Sequence, residues 1–370
     1  MKKLYLFLLV STFLGLAPAF SQQTHIEWEF SDYLANSRTT GVKVATYLGS
    51  NPFVVHLRQL GTTSFSVRKF PQNGTTQSAL LDEKVVTLTG ECKDIAIDAN
   101  GNLFIVGFTS TAGLNAGASV GQSVKGALND GFLMKLDINM DIVWFTYQGG
   151  KDNDALNSVA IDNEGRVHVG GKNENQFSIA CFNNATGGRY QETKLTWTGV
   201  TPSGFDEVLG IAVKNYSTTQ IAVYTTGVVY TDGWPGLNEY APASKCLGCF
   251  VDGGEVFTAK HLLNIGSTNS YDWQWFRYFH GNANSSVGEY TGKGYGVAIS
   301  KNDLNYEESV YVTGYIGEEG YSAGFVKTYG AYGAILNQKF IDATVNNGFT
   351  TIANDITIDN NNNIIVVGST

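Results

Sequence analysis

One short sequence motif recurs along the chain. It consists of an apolar run, a turn rich in Asp, Asn and Gly, a second apolar run and a closing glycine. The clearest copies span residues 94–107 and 158–171, and a third spans 355–368. Looser copies begin at 210 and 296, so that 52 to 86 residues separate successive starts. Repeats of this length, made of short strands and turns, are typical of chains that stack copies of one small β-sheet.

One repeat contains the signals for four antiparallel strands. Residues 95–97 and 103–106 are apolar runs joined by a turn in which Asn and Gly tolerate positive φ. Residues 131–137 and 142–147 follow after a Gly/Ser/Thr/Ala-rich connection. Continuous apolar runs such as 103–106 indicate strands covered on both faces. The sequence therefore predicts an all-β fold, a β-propeller of four-stranded antiparallel blades with five to six blades represented.

The third and fourth strands repeat independently of the first. Third strands are each marked by a phenylalanine, at Phe53, Phe132, Phe177, Phe257 and Phe325. Fourth strands share a Trp-Phe-x-Tyr motif, which begins at Trp144 in one copy and at Trp275 in another. Because the same motif recurs in the same phase, we predict that both tryptophans pack within the stack of blades.

With these motifs the chain resembles the bacterial β-propeller repeat of exported proteins, often called the SBBP repeat, and is similar to the wider group of NHL-like propellers. The motifs read I-A-I-D-A-N-G-N-L-F-I-V-G-F-T-S at 95–110, D-G-F-L-M-K-L-D at 130–137 and V-W-F-T-Y-Q-G-G at 143–150. The resemblance covers most of residues 41–370 and is weaker at 210–281. It implies a propeller fold and export, and it implies little about chemistry.

Two modes of ring closure are compatible with the repeat. In one, the half-blade at 355–370 joins an N-terminal half-blade that begins near Phe53, which gives five blades sealed by both termini. In the other, residues 41–89 form a whole blade and further C-terminal sequence is missing. The second alternative is preferred because five-bladed rings are the rarer case.

The N-terminus has the features of a secretory signal peptide. Lys2 and Lys3 precede an apolar run at 4–16, and Ala19-Phe20-Ser21 offers small residues at the cleavage positions. We therefore expect residues 1–21 to be removed and residues 22–370 to form the propeller. No later stretch is long and apolar enough for a transmembrane helix, so the expected location is secreted or at the cell surface.

Net charge limits the possible binding partners, and the number of cysteines limits the possible disulfides. The formal net charge is −9, and no basic cluster is present, which argues against binding to nucleic acid. Four cysteines are too few for a disulfide scaffold. Cys246 and Cys249 are the candidate disulfide, since no second CxxC or thioredoxin-like unit accompanies them.

Two further motif matches are explained better by local structure than by chemistry. The G-x-S-x-G match at 117–121 lies in a linker, without the following helix of a nucleophile elbow. The Asp-x-Asn-x-Asn patterns at 98–102 and 359–363 resemble the start of a calcium loop. However, the equivalent turn at 162–166 has Arg in place of a ligand, so we predict simple turns, no metal site and no cofactor, with calcium as the alternative.

The best candidates for ligand contact are aromatic residues around the longest connection, because loops on a rigid scaffold commonly carry function. They are Tyr230, Trp234, Tyr240 and Tyr271. Aromatic rings stack on sugars or anchor a protein partner. Packing against the neighbouring blade is the alternative for the same side chains.

These features favour an exported, non-catalytic binding or scaffolding module for a protein or carbohydrate at the cell surface. No catalytic constellation is visible in the sequence. The alternative is an enzyme, such as a lyase or a glycan hydrolase, with a site at the central channel. Such a site uses Asp, Glu or His side chains that converge from different blades, and fold resemblance does not distinguish the two.

Overall fold

The structure of the protein is a computed structural model. It describes residues 39–72, 80–114, 128–194, 206–230, 254–266, 269–279, 291–300, 308–318, 321–341, 351–359 and 362–369. These residues form 22 β-strands, without a helix among them. Within the same ranges there is therefore no helix long and apolar enough to span a membrane.

The first three sheets each have four antiparallel strands in chain order. Blade 1 contains β1 (Thr39–Tyr47), β2 (Phe53–Leu60), β3 (Ser64–Pro71) and β4 (Asp82–Thr87). Blade 2 contains β5 (Gly90–Ile97), β6 (Leu103–Thr109), β7 (Asp130–Leu136) and β8 (Ile142–Gln148). Blade 3 contains β9 (Ala155–Ile161), β10 (Val167–Asn173), β11 (Gln176–Phe182) and β12 (Arg189–Lys194).

The remaining sheets continue the pattern and then depart from it. Blade 4 contains β13 (Glu207–Asn215), β14 (Gln220–Val229), β15 (Glu255–Asn264) and β16 (Ser270–Phe279). Blade 5 contains β17 (Thr291–Ile299), β18 (Val310–Glu318), β19 (Tyr321–Tyr329) and β20 (Ile335–Ile341). The sixth sheet has two described strands, β21 (Ile352–Ile358) and β22 (Ile364–Ser369).

The sheets stack around an axis with their first strands innermost. The first strand of each sheet contacts the first strand of the next, from β1 through to β21. The ring closes between β21 and β1, where Lys43 Nζ lies 2.8 Å from Asp355 Oδ2. The predicted all-β propeller of four-stranded blades is therefore confirmed, with five complete blades and a two-stranded sixth sheet among the described residues.

One detail of the sequence prediction is wrong, and one of the two modes of ring closure is excluded. Phe53 begins the second strand of blade 1 and not a third strand. Residues 39–87 form a complete four-stranded blade, as in the preferred alternative, and not a half-blade that begins near Phe53. The mistake came from reading the Phe53 motif by its local pattern, although strand number depends on pairing with β1.

Each pair of successive blades encloses its own apolar core. Five separate clusters of buried side chains lie between blades 1 and 2, 2 and 3, 3 and 4, 4 and 5, and 5 and the sixth sheet. Third-strand phenylalanines stack across two of these interfaces, with Phe177 and Phe257 at 5.3 Å between ring centroids. Continuous apolar strands such as β6 are buried on both faces, as the sequence predicts.

The fourth-strand tryptophans dock one blade onto the next, which confirms the packing role predicted for them. Trp144 Nε1 donates to the Asn184 carbonyl at 2.9 Å, and Lys135 Nζ donates to the same oxygen at 3.2 Å. Trp275 Nε1 and Lys260 Nζ repeat this pair of bonds on the next-blade carbonyl of Ala331. The recurring Trp and Lys therefore hold the third-to-fourth strand turn of the following blade.

Candidate functional site

Every innermost strand carries a β-bulge at the same place in its register. A bulge leaves one residue outside the ladder and re-aims its side chain, and bulges are enriched at functional sites. The six bulged residues are Val42, Lys93, Asn157, Leu209, Tyr295 and Asn354. The backbone geometry thus repeats while the side chain varies, with asparagine the one type that occurs twice, and we define these six positions as the bulge ring.

The bulge explains why each copy of the repeat motif ends in a glycine. The glycine lies opposite the bulge on the second strand, at Gly107, Gly171, Gly227, Gly314 and Gly368. A Cβ atom added at any of these five glycines would lie only 1.9–2.1 Å from a carbonyl oxygen of the first strand. Blade 1 reverses the arrangement, since Arg58 stands opposite Gly41.

Charged side chains from three blades meet next to the bulge ring. Lys43 Nζ lies 2.8 Å from Asp355 Oδ2 and 3.5 Å from Asp94 Oδ1. Burial alone would lower the pKa of Lys43, but the carboxylates of Asp94 and Asp355 outweigh burial and raise it. Lys43 is therefore a cation that joins the sixth sheet to blades 1 and 2 at the inner strands.

The polar bridge continues into blades 3 and 4. Asp94 Oδ2 accepts hydrogen bonds from Ser158 Oγ and from the Val159 backbone, both at 2.9 Å. Ser158 Oγ in turn accepts the Ile211 amide at 3.2 Å. These bonds satisfy inner-edge amides that no neighbouring strand would otherwise reach.

Blades 4 and 5 use glycine where blades 1 to 3 use polar side chains. Gly210 and Gly296 occupy the register position of Ser158. A Cβ on Gly210 would lie 2.6 Å from the Tyr295 carbonyl oxygen, and one on Gly296 would lie 2.8 Å from the Ile356 amide nitrogen. The backbones of these inner strands therefore approach too closely for any side chain.

A tyrosine cluster adjoins the bulge ring between blades 4 and 5. The rings of Tyr295 and Tyr315 lie 5.9 Å apart at 33°. Tyr230 is half-buried beside them, and its amide donates to Asp206 at 2.7 Å. Burial raises the pKa of Tyr295 to about 12, with further contributions from Tyr315 and Tyr230, so its hydroxyl is neutral at physiological pH.

An ion pair borders the tyrosine cluster. Glu207 Oε1 lies 2.9 Å from Lys172 Nζ of the preceding blade. The negative charge of Glu207 contributes to the raised pKa values of both Tyr230 and Tyr295, after burial. The cluster therefore combines neutral aromatic hydroxyls with a carboxylate and an ammonium group, which together offer ring faces, donors and acceptors.

The predicted ligand aromatics are only partly within the described residues. Tyr230 belongs to the tyrosine cluster. Tyr271 lies in blade 4, where its hydroxyl is buried and its ring contacts His261 edge-on at 6.5 Å. Trp234 and Tyr240 lie outside the described residues, as do Cys246 and Cys249 of the candidate disulfide. The structure therefore brings Tyr230, and not Tyr271, next to the bulge ring.

Buried histidines elsewhere in the molecule belong to the packing. His168 Nε2 lies 3.0 Å from Asp162 Oδ2, and burial lowers the pKa of His168 while the carboxylate partly opposes that shift. His261 packs against Trp273 at 4.0 Å, and burial lowers its pKa to about 3. Packing is the interpretation that the sequence favours for His168, and its full burial agrees with it.

The Asp-x-Asn-x-Asn turns use their aspartate to hold the backbone. Asp98 Oδ1 accepts the Asn100 and Asn102 amides at 2.9 Å, and Asp98 Oδ2 accepts the side-chain amides of Asn102 and Asn184. Burial would raise the pKa of Asp98, but these hydrogen bonds outweigh burial and lower it. Across the described ranges, no group of three His, Cys, Asp or Glu residues has the arrangement of a metal site.

Sequence reasoning missed the bulge ring although a signal was present. In each repeat, the bulged residue lies two positions before the first apolar residue of the motif. Examples are Asn157 before Val159 and Tyr295 before Val297. The variability of this position within an otherwise regular repeat was the available clue. Period-2 patterns do not reveal a bulge, because a bulge breaks that period.

Comparison with known proteins leaves the family open. No protein-family model matches the chain, and no curated protein matches its sequence. The SBBP-type assignment therefore stays a prediction.

Several solved structures are similar to the chain at low identity. The Dos1 propeller has a TM-score of 0.40 and 11% identity over 88% of this chain and 66% of that chain, so the chain spans just under two thirds of its length. Drosophila Plexin A in complex with Semaphorin 1b has a TM-score of 0.34 and 8% identity, over 91% and 84% of the two chains. Drosophila Semaphorin 1b, extracellular domains 1-2, has a TM-score of 0.33 and 7% identity, over 90% and 85%. The assignment of the fold rests on the sheets themselves.

Proposed function

We propose that the protein is an exported β-propeller of the SBBP or NHL-like kind that binds a glycan or a protein at the cell surface without catalysis. The bulge ring carries this proposal, since six equivalent backbone positions on the innermost strands carry five different types of side chain. A rigid scaffold with variable positions is the usual design of a recognition surface. Export rests on the predicted signal peptide at residues 1–21.

The tyrosine cluster favours a glycan over a protein as the ligand. Tyrosine faces stack on the apolar face of a sugar, and the neighbouring Glu207 and Lys172 supply an acceptor and a donor for its hydroxyls. Tyr230 also precedes residues 231–253, the longest connection between second and third strands. A ligand on this cluster would therefore contact Tyr295 of the bulge ring and lie next to Tyr230, where that connection begins.

Binding to a panel of immobilised oligosaccharides tests this function. Residues 22–370 are expected to bind at least one neutral, N-acetylated or acidic sugar on the panel, and Tyr295→Ala to weaken that binding at least about tenfold. Tyr332→Ala is the matched control, because Tyr332 is 87% exposed on a third-to-fourth strand turn away from the bulge ring. Equal binding by wild type and Tyr295→Ala, or binding to none of the sugars, would contradict the glycan proposal.

One observation favours an enzyme as the second candidate. Carboxylates from two different blades, Asp94 and Asp355, converge on Lys43. Asp94 is committed to Ser158 and the Val159 backbone, which leaves Asp355, about one-third exposed, as the carboxylate available to a substrate. Release of reducing ends from the same oligosaccharides, abolished in Asp355→Asn, would establish this alternative; intact oligosaccharides would exclude it for those substrates.

A further inference from the structure

Three lysines dock one blade onto the next in the same way. Lys69, Lys135 and Lys260 lie on third strands, and each donates from Nζ to a backbone carbonyl in the third-to-fourth strand turn of the following blade, at 2.7, 3.2 and 3.3 Å. The accepting carbonyls belong to Ile138, Asn184 and Ala331. Of these three residues, Asn184 alone has a side-chain carbonyl that an amine can attack. The contact between Lys135 and Asn184 therefore adds a possible reaction to a packing motif.

The amino group of Lys135 touches the side-chain amide of Asn184. Lys135 Nζ lies 2.5 Å from Asn184 Oδ1. Because a carbonyl bond measures about 1.2 Å, Nζ is within roughly 3.7 Å of the Asn184 Cγ carbon. Atoms that are poised to react lie about 3–3.5 Å apart. A small movement of the lysine side chain therefore brings the nitrogen into position to attack this carbon.

The surroundings of Lys135 favour the reactive form of its amine. Lys135 is 9% exposed, and its Nζ lies 5.6 Å from the centre of the Phe104 ring. Burial lowers the pKa of Lys135, although the charges of Asp98 and Asp137 partly oppose that shift. A lower pKa enlarges the fraction of neutral amine, which is the nucleophile. The apolar environment therefore prepares Lys135 for attack on the amide.

A buried carboxylate holds the nitrogen that would leave. Asp98 Oδ2 accepts a hydrogen bond from Asn184 Nδ2 at 3.0 Å. Lys135 can only donate and the Asp98 carboxylate can only accept, so the two contacts fix which end of the amide faces which group. A carboxylate at this place can take a proton from the attacking amine and deliver it to the departing nitrogen. Trp144 Nε1 also holds Asn184, through its backbone carbonyl at 2.9 Å.

We propose that Lys135 and Asn184 form an isopeptide bond that joins the third strand of blade 2 to the β11–β12 turn of blade 3. Nζ of the neutral amine attacks Cγ of Asn184, a Nζ–Cγ bond forms and the Cγ–Nδ2 bond breaks. Asp98 takes one proton from Nζ and passes it to Nδ2, which leaves as ammonia. One amide replaces another, so the reaction needs no oxidant and no further reactant.

Blade 4 has the docking contact without the reactive groups. Lys260 meets Ala331, which has no side-chain amide. Lys214 stands where blade 2 has Asp98. We therefore expect no isopeptide bond between Lys260 and blade 5, and Lys260 is the matched control for Lys135.

Tryptic digestion of the denatured and reduced protein, followed by mass spectrometry, tests the bond. Trypsin is expected to leave Lys135 uncleaved and to release residues 126–151 joined to residues 173–189. The joined species should weigh about 17 Da less than the two peptides together, because ammonia is lost. Peptides are preferred to the intact chain, since cyclisation of Gln22 at a mature N-terminus would release ammonia too.

Variants separate the bond from simple packing. Lys135→Met should abolish the joined species, whereas Lys260→Met should keep it. Asp98→Asn should lower the joined fraction at least about tenfold, because the proton carrier is lost. Asp359→Asn makes the same change in the equivalent turn of the sixth sheet and should leave the joined fraction unchanged.

The unmutated protein decides the proposal even if a variant fails to fold. Complete cleavage after Lys135, with both peptides separate, would overturn the bond and show that Lys135 only donates hydrogen bonds. A joined species that persists in Lys135→Met would overturn the assignment to Lys135. An undiminished joined fraction in folded Asp98→Asn would overturn the proton transfer through Asp98.

Discussion

The two halves of the ring hold their inner strands together by different means. Blades 1 to 3 use side chains: Lys43, Asp94 and Ser158 stand at equivalent positions and bridge one blade to the next. Blades 4 and 5 place Gly210 and Gly296 there, and the backbones come into direct contact. The same bulge geometry is thus stabilised by polar bridges in one half and by close backbone packing in the other.

Buried histidines follow the same division. Blade 3 pairs His168 with the Asp162 carboxylate, whereas His261 of blade 4 lies among the aromatic rings of Trp273 and Tyr271 and of Phe177 from blade 3. A repeat fold therefore specifies where a strand lies, while each blade solves its own packing and hydrogen bonding. The tyrosine cluster lies between blades 4 and 5, where glycines allow the inner strands to approach closely. There the rings of Tyr295 and Tyr315 lie side by side.

We expect the largest loss of stability when a side chain of blades 1 to 3, the polar half, replaces a glycine of blades 4 and 5, the glycine half. Gly296→Ser introduces the residue that blade 3 has at this position, but its Cβ would meet the Ile356 amide nitrogen at 2.8 Å. We expect a loss of about 3 kcal/mol in the free energy of unfolding, measured by urea denaturation. Gly266→Ala is the control, because an added Cβ there meets nothing within 4 Å. A near-neutral Gly296→Ser would show that the glycine half is not closely packed.

Removal of a charge in the polar half should cost somewhat less. Asp94→Asn keeps an acceptor for Ser158 but loses the charge next to Lys43, so we expect destabilisation of about 2 kcal/mol. Asp355→Asn removes the other partner of the same lysine, and about 0.5 kcal/mol is expected because this carboxylate is one-third exposed and screened by solvent. If urea denaturation gave the same loss of stability for both variants, the unequal burial of Asp94 and Asp355 would be contradicted.

The histidine contrast predicts a pH dependence. The pKa of His261 is about 3 in the folded chain because of burial, against an ordinary value of 6.5. The unfolded chain therefore binds the extra proton below pH 6.5, and stability present above that pH is lost as the pH falls, by about 1.4 kcal/mol per unit. Denaturation at pH 7 and pH 5 should differ by about 2 kcal/mol less in His261→Phe than in wild type. An unchanged pH dependence would show that His261 is not buried.

Much of the fold could be predicted from the sequence because strand, turn and repeat signals are local. The four strands of blade 2 lie where the apolar runs 95–97 and 103–106 and the later motifs place them. The roles of the turn aspartates and of the fourth-strand tryptophans could also be predicted from the repeated sequence motifs. The wrong placement of Phe53 came from the one property that is not local, namely which strand pairs with which.

The candidate site was far less predictable. Tyr230 was visible as an aromatic beside a long connection, whereas Tyr295 and Tyr315 sit in strands that look ordinary. Their proximity depends on the bulge in β17 and on the pairing of β17 with β18. Likewise, nothing in the sequence links Lys43 to Asp355, because 311 intervening residues separate them and only closure of the ring brings them together.

Closure of the ring is the central claim, and a double-mutant cycle between Lys43 and Asp355 tests it most directly. Denaturation of Lys43→Met, Asp355→Asn and the double variant should give a coupling of about 0.5 kcal/mol, since the pair is partly exposed. The control cycle pairs Lys93→Met with Asp355→Asn, because Lys93 binds Glu91 and lies on β5. Coupling in the first cycle and none in the second is the predicted result. Strict additivity in both cycles would contradict a closed ring.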